Sequence, residues 1–481
     1  MSRFSKTFSA AVLCGISFLF AACAPPQPTN TQSVQTNTNT IAAPAPTATQ
    51  TPNRQAASNL PVTLPVLDAM FADEAFAAEL KSKLNLTDEQ IERLRQASQE
   101  AVNNLDANET EGSTAAATRR AEEQIRAIVG EQKATELANF IRQRWGGGED
   151  FASVSGEKPN SVPTDTRIVV NAPAYRMDVF KDGQLVKTYK VGIGYPEFPL
   201  PTGMRRAQEI IFNPTWTPPD EPWVKGKYKP FEKVEAGSKL NPLGVIKIPI
   251  GLPSLIHGGK DQARLGTFAS HGCVGLTNPQ VQDFSMVLAQ ISGTQILPED
   301  VANYEKQKTE TKNVKLASAI PVELRYETIV VEDGKLRVYR DVYERGTNTE
   351  ENVRKVLQAY GVSYDSLNEQ EKSQITSALQ QMSLDPQGKP ADGRPNANTN
   401  TNANNANGKS ESNKNANASG KVTRDIKGQK EVSIEIAALQ GKGYPAPVAL
   451  NTGEKSKTAS SAGAGNSNAK PAASPNRQSG R

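Results

Sequence analysis

The residues able to do covalent chemistry are scarce and crowd into one stretch. The 481-residue chain holds 3 Cys and 2 His, and both histidines and one cysteine fall between positions 257 and 273. The segment reads His257-Gly258, then Ser270-His271-Gly272-Cys273-Val274-Gly275-Leu276. A thiol with a pKa of about 8.5 is only a few per cent ionised at neutral pH, yet its thiolate is a strong nucleophile. An imidazole within hydrogen-bond reach can take the proton, as Cys–His pairs do in acyl transfer. His257 ends an apolar strand, Pro253-Ser254-Leu255-Ile256, and the loop that follows is long enough to fold back and face Cys273. Gly272 and Gly275 bracket the thiol and permit a sharp backbone path that aims N–H groups at a developing oxyanion. Asn278 as cap, Pro279 at the first helical position and the run Val281 to Ile291 predict a helix directly afterwards. The thiol then sits on a turn entering a rigid element.

Two blander arrangements use the same residues. A structural zinc ion could take Cys273, His271 and His257, but a closed site wants four ligands and no fourth is evident. A buried, inert cysteine beside two satisfied histidines is the other. The residues around Cys273 match neither papain-like nor caspase signatures. With only three cysteines and no CxxC pair, a disulfide scaffold is excluded. Gly192-Ile193-Gly194 lacks the third glycine and the following helix of a dinucleotide fingerprint. The charge sum, 55 basic minus 51 acidic residues or +4, gives no reason to expect nucleic acid or an acidic membrane surface as a partner.

The elements that must position this cluster belong to a multidomain chain, since its length exceeds one compact core. Residues 1–22 read as an export signal: Arg3 and Lys6 precede the apolar run Phe8 to Phe20, which is short of the roughly 20 residues that span a bilayer. Leu19-Phe20-Ala21-Ala22-Cys23 resembles a bacterial lipobox, which makes Cys23 the expected lipidation site; an ordinary signal cleaved nearby is the alternative. Residues 23–61, rich in Thr, Pro, Ala, Asn and Gln, read as a disordered tether. From 62 to 145 the pattern is helical, with Thr87 and Gln90 forming a capping box and one helix expected from about 115 to 145. Leu86-Thr87-Asp88-Glu89-Gln90 resembles the LTxxQ motif of periplasmic stress proteins, but a plain helical spacer with no chemistry is the favoured reading. A linker (146–166) precedes a strand-rich domain over 167–297, with a hairpin at Lys181-Asp182-Gly183. A β-hairpin extension follows at 298–346, turning at Asp333-Gly334, then short helices at 347–384 starting near Thr349 and Asn368. Residues 385–481 form a low-complexity tail with a small strand segment at 422–450.

His257-Gly258 followed by Ser270-His271-Gly272-Cys273 resembles the signature of the L,D-transpeptidase catalytic domain, also called the YkuD domain. Pro199-Leu200-Pro201-Thr202-Gly203 resembles that family's TPTG-type loop. Asn213-Pro214-Thr215-Trp216-Thr217-Pro218-Pro219 and Asn241-Pro242-Leu243-Gly244 are similar to the ErfK/YbiS-like subgroup. The resemblance covers about 167–297. It implies a mainly β catalytic domain, here preceded by an α-helical region and flanked by disordered low-complexity segments. It also implies peptidoglycan remodelling. Cys273 would attack the L,D bond of a tetrapeptide stem and expel the terminal D-Ala, with His257 as base and then acid, its ring held by a backbone carbonyl near Gly258. Gly258, Ser270, His271 and Gly272 would shape the pocket and oxyanion site. The acceptor would be the amine of a neighbouring stem, of a lipoprotein's Lys or of a small molecule. No metal or organic cofactor is implied, and carbapenems would acylate the cysteine. The chain departs from the pattern at Gly275, where many members carry Arg or Asn, and at Gly259, where Thr or a similar residue is common. The first departure leaves no cation at 275 for a donor carboxylate.

The expected protein is therefore a cell-envelope enzyme, periplasmic and lipid-anchored to a membrane, with Ala24 after the Cys favouring the outer membrane. An L,D-carboxypeptidase-type hydrolase on the same scaffold shares the acyl-enzyme. A non-catalytic peptidoglycan-binding lipoprotein is the reading from another class.

Overall fold

The computed structural model describes residues 62–105, 114–145, 159–385 except 225, residue 388, and 426–450. The expected leader (1–22), the tether (23–61) with Cys23, and residues 389–425 and 451–481 of the expected tail lie outside the described residues. Among those described, no helix is long and apolar enough to cross a membrane.

Five helices open the described chain: α1 (Leu64–Phe71), α2 (Glu74–Leu84), α3 (Asp88–Asn103), α4 (Thr114–Val129) and α5 (Glu131–Trp145). Thr87 and Gln90 form the expected capping box at the start of α3, each side chain bonding the other residue's N–H at 3.1 Å. The single helix expected over 115–145 is instead two. Gly130 adopts a φ of +84° between them, a conformation glycine enters without steric cost and that ends a helix. Leu67, Met70, Phe76, Leu80, Ile125 and Ile141 pack into the core of this bundle.

The strands that follow are β1 (Arg167–Asn171), β2 (Arg176–Lys181), β3 (Gln184–Lys190), β4 (Ile193–Gly194), β5 (Gly203–Phe212), β6 (Ile246–Pro249), β7 (Leu255–His257), β8 (Phe268–Ser270) and β9 (Val274–Gly275). Helix α6 (Asn278–Ile291), helix α7 (Pro298–Lys306) and strand β10 (Lys312–Arg325) come next. Among the described residues eight strands form one sheet, in the order β3-β2-β1-β10-β5-β6-β7-β9. The β2–β3 turn is the expected one, with Asp182 and Gly183 both at positive φ, as a two-residue hairpin matching strand twist requires. Helix α6 lays Val281, Phe284 and Leu288 on a core that includes Ile246, Ile256 and Val274.

The boundary expected at 297 cuts this sheet. β10 lies in its middle, parallel to β1 and antiparallel to β5, so residues 312–325 complete the strand-rich domain. The hairpin extension expected over 298–346 divides accordingly, at residues 326–328. Its first part ends with β10, and its second begins with β11 (Ile329–Glu332), which turns through Asp333-Gly334 into β12 (Lys335–Tyr339). β12 also pairs with β13 (Glu431–Glu435), the strand expected within 422–450. Helices α8 (Glu350–Ala359) and α9 (Glu369–Met382), capped by Thr349 and Asn368 as expected, cover that small sheet. Val322, Leu324 and Tyr326 alternate with Glu323, Arg325 and Glu327 right up to the apolar Ile329-Val330-Val331, so periodicity alone could not divide the segment.

The helical bundle grips the loops beside the cluster. Thr63 and Thr114 donate hydroxyl hydrogen bonds of 2.7 Å to the carbonyls of Glu197 and Pro196. Trp145, the last residue of α5, donates its indole N–H to Leu252 O at 2.9 Å. Its ring also lies 3.5 Å from the guanidinium of Arg205, which is 0% exposed. Among the described residues the Arg205 side chain has a single hydrogen bond, to Pro201 O, with Nε and Nη1 unbonded, so the indole face is its main electrostatic compensation. Trp145→Ala should cost about 3–5 kcal/mol by opening a cavity over a buried cation. Chemical denaturation followed by circular dichroism reads this, and a loss below about 1 kcal/mol would refute the clamp.

Candidate active site

β7 and β9 run parallel, with Ile256 opposite Val274 and His257 opposite Gly275. Extending that register by one residue puts Leu255 opposite Cys273. Side chains alternate along strands, so Cys273 and His257 rise from the same face, two residues apart. The N–H of Leu276 bonds to His257 O at 2.8 Å and closes this short ladder.

His257 is 3% exposed, and its Nδ1 lies 2.8 Å from the carbonyl oxygen of Gly258. A carbonyl can only accept, so the hydrogen is assigned to Nδ1 and the lone pair to Nε2. Gly258 has no room for a side chain: a Cβ there would stand 2.6 Å from Asn278 Oδ1 and 2.8 Å from Val281 Cγ1. Its N–H is used by Ile246 O at 3.1 Å. Asn278 is not the cap of α6. Thr277 takes that role, with Gln280 completing a capping box, and its β-branched hydroxyl reaches the N3 amide in the usual way. Asn278 is thereby free to accept from Val245 N at 3.2 Å and Gly259 N at 2.8 Å, joining the start of β6 to the loop behind the imidazole.

The turn carrying Cys273 is tied by Ser270, whose Oγ accepts from Cys273 N at 3.0 Å and donates to Cys273 O at 2.6 Å. Ser270 holds the turn rather than facing a ligand. Gly272 has a φ of +89°, and its N–H makes no hydrogen bond among the described residues. A Cβ added there meets only Phe198 O at 3.9 Å, so this side of the turn is open. His271 points away from the imidazole–thiol pair into an aromatic wall. Trp223 stacks on its ring at 4.0 Å, and Tyr195 and Phe198 meet it edge-on at 5.0 and 4.9 Å. Trp223 in turn bonds Glu221, whose carboxyl is pushed up to about 7, chiefly by burial.

Cys273 is partly exposed; its Sγ lies 4.0 Å from Pro253 O. Burial pushes the thiol above its ordinary range, against the opposing pull of Leu255 N–H and Lys260. Burial also drives His257 down to about 3, with Lys260 adding to the effect. At neutral pH the pair is therefore a thiol and a neutral imidazole. No hydrogen bond joins them among the described residues; such contacts commonly tighten only when substrate is bound. Also among the described residues, no group of three or more His, Cys, Asp or Glu is arranged to hold a metal ion.

The structure thus brings Cys273, His257, Gly258, Ser270 and Gly272 together and sets His271 to one side. Sequence reasoning missed Lys260 and Trp223, and took Asn278 for the helix cap instead of the support behind the imidazole. The Lys260 stem crosses Gly275, where a Cβ would meet Lys260 Cγ at 2.8 Å and Cε at 3.0 Å. Its nearness to the Gly258-Gly259 pair was the available signal. Trp223 carried none beyond its rarity.

Residues 165–292 match the family model of YkuD, the L,D-transpeptidase catalytic domain. A Bacillus subtilis (strain 168) protein provisionally named L,D-transpeptidase YqjB is 26% identical over 175 residues, which is 35% of this chain and 90% of that one. Among solved structures, the catalytic domain of an E. faecium L,D-transpeptidase is similar over 34% of this chain and 100% of its own, at 17% identity and a TM-score of 0.23. An L,D-transpeptidase from Mycobacterium smegmatis is similar over 34% of this chain and 58% of its own, at 14% identity and a TM-score of 0.22. This chain therefore spans less than two thirds of the mycobacterial one.

Alkylation by iodoacetamide reads the protonation of the pair. The rate at Cys273 should be low near pH 7 and climb about tenfold per pH unit until the raised thiol titrates, at or above the ordinary thiol range. A plateau between about pH 5 and 7, the mark of a preformed thiolate–imidazolium pair, would overturn the neutral assignment.

Proposed function

We propose that the protein is a peptidoglycan L,D-transpeptidase with Cys273 as nucleophile and His257 as base, a reading supported by the match of residues 165–292 to the YkuD L,D-transpeptidase catalytic domain model. The observation that carries this is the β7–β9 pairing, which sets the thiol and the imidazole on one face while Gly258 O holds the ring through Nδ1. Sγ attacks the carbonyl carbon of the L,D peptide bond as Nε2 takes its proton. The same proton passes to the departing amine of the terminal D-Ala, leaving a thioester. An incoming amine then gives a proton to Nε2 and attacks the thioester carbon, and as the carbon–sulfur bond breaks Nε2 passes that proton to the departing sulfur, restoring the thiol and neutral imidazole. Starting from neutral partners, the proton moves during attack, so charge develops only in the transition state. The unbonded N–H of Gly272, on the open side of the turn, is the donor available for the developing oxyanion; the N–H groups of Cys273 and Gly258 are already used. The acceptor is a neighbouring stem or the Lys of a lipoprotein, and the product is a cross-link or an attached protein.

A carbapenem tests the chemistry. Wild-type protein should gain one adduct by intact mass, Cys273→Ala none, and His257→Ala should acylate about 10²–10⁴ times more slowly. An equal adduct on Cys273→Ala would refute the assignment. Stem peptides trimmed with no amine product would mark the hydrolase instead.

The reading extends to the envelope. The leader and the lipobox-like Leu19-Phe20-Ala21-Ala22-Cys23 support export and a lipid on Cys23, with 24–61 as a reach between membrane and wall. Cys23→Ser should move the protein from the membrane to the soluble fraction of cells. Retention of this variant in membranes would rule out the anchor.

A further inference from the structure

Lys260 is a cation placed beside the thiol, and among the described residues no ion pair neutralises it. Its backbone is pinned above β9 by the bond from Lys260 N to Leu276 O, 3.0 Å. Its stem then lies along Gly275, within 2.8–3.4 Å of where a Cβ would be. Only a glycine at 275 allows that path. Gly275 faces His257 across the ladder and lies two residues beyond Cys273 on the same strand face, so the ammonium is delivered to the face from which both side chains rise. Its charge acts on both of them. Among the described residues Nζ makes no ion pair and no hydrogen bond. The other charges acting here, Arg264 on Lys260 and Lys247 on His257, are also positive. Holding an unpaired cation in a partly buried site is costly unless a ligand supplies the anion.

We propose that Lys260 is the carboxylate-binding residue of this site, its ammonium holding the free carboxylate of the residue that leaves when Cys273 attacks. The proposal rests on the acyl-transfer reading above and takes from it the donor, a stem peptide whose scissile bond lies one residue from a free C-terminus. In the step, the Sγ–carbon bond forms and the carbon–nitrogen bond breaks. The sulfur's proton reaches the departing amine through His257 Nε2, and the amino acid departs with its carboxylate still on Lys260. Nothing is oxidised or reduced. A carboxylate two bonds from the reacting nitrogen also fixes which peptide bond meets the sulfur, so Lys260 sets register as well as affinity.

The test compares two donors on the full-length protein, a tetrapeptide ending in D-Ala and the same peptide ending in D-alaninamide, by release of the terminal residue. A charge-assisted contact predicts that wild type favours the carboxylate by about 10- to 100-fold in kcat/KM, mostly through KM. Lys260→Met should bring that ratio near one, and Lys260→Arg should keep most of it. Lys260→Ala combined with Gly275→Arg should regain part of it, since removing the stem vacates the space above 275. A wild type without preference, or a Lys260→Met variant that keeps it, overturns the proposal. So does an equal loss on both donors with a shifted alkylation pH profile, which would assign the ammonium to the thiolate instead. Failure of the underlying reading is distinct: wild type would act on neither donor and gain no carbapenem adduct.

Discussion

The hydrogen bond from His257 Nδ1 to the carbonyl of the very next residue is the constraint on which the rest of the site depends. It fixes the tautomer and the ring plane, leaving the Nε2 lone pair as the free function of a nearly fully buried imidazole. For a side chain to reach its neighbour's carbonyl, the backbone at 258 must turn sharply, and the space around it is taken by Asn278 and Val281. Only glycine fits. Asn278 can occupy that space because Thr277 and Gln280 cap α6 without it. One helix N-terminus therefore serves both as the end of the thiol-bearing turn and as the support behind the base.

The same logic extends outward through loops that have little structure of their own. Residues 195–201 and 251–254 border the thiol, and the bundle holds both through Thr63, Thr114 and Trp145. The Trp145 contacts include a buried guanidinium, which ordinary packing would not tolerate without the ring above it. This gives the helical region a physical role that a mere spacer lacks. It restrains the carbonyl of Leu252, next to Pro253, whose own carbonyl is the sulfur's close polar neighbour. On the opposite side, Trp223 and Trp216 stack outward from His271 at 4.0 and 6.0 Å, so the second histidine of the motif is spent on anchoring a loop.

How much of this was legible in the sequence depended on whether the signal was local. The turns at Asp182-Gly183 and Asp333-Gly334, and the caps at Thr87, Thr349 and Asn368, are set by φ preferences and single hydroxyl or amide groups, and the sequence carries them openly. The crowding of Cys273 and His257 was equally plain. What could not be read was pairing at long range. β10 joins β1 across more than a hundred intervening residues, and no periodicity in 312–325 announces which sheet it enters. The choice between Thr277 and Asn278 as cap was lost for a different reason: both types favour the position, and the decision came from the amides of Val245 and Gly259, which claimed Asn278. Lys260 was hidden because its role depends on an absent side chain at 275, which matters only once the two strands lie together.

A solitary thiol exposed to an oxidising compartment invites loss to sulfenic acid or mixed disulfides, since these reactions go through the thiolate. If the protein is exported as proposed, burial of Cys273 answers the difficulty: a raised thiol pKa keeps the sulfur protonated, and a depressed imidazole pKa prevents His257 from forming a resting ion pair that would ionise it. The same burial would make the sulfur sluggish as a nucleophile unless the proton left at the moment of attack. An imidazole fixed by Gly258 O supplies that by accepting the proton as the sulfur attacks. Protection at rest and activation on demand are thus two consequences of one choice, a neutral pair held in a site whose remaining charges are positive.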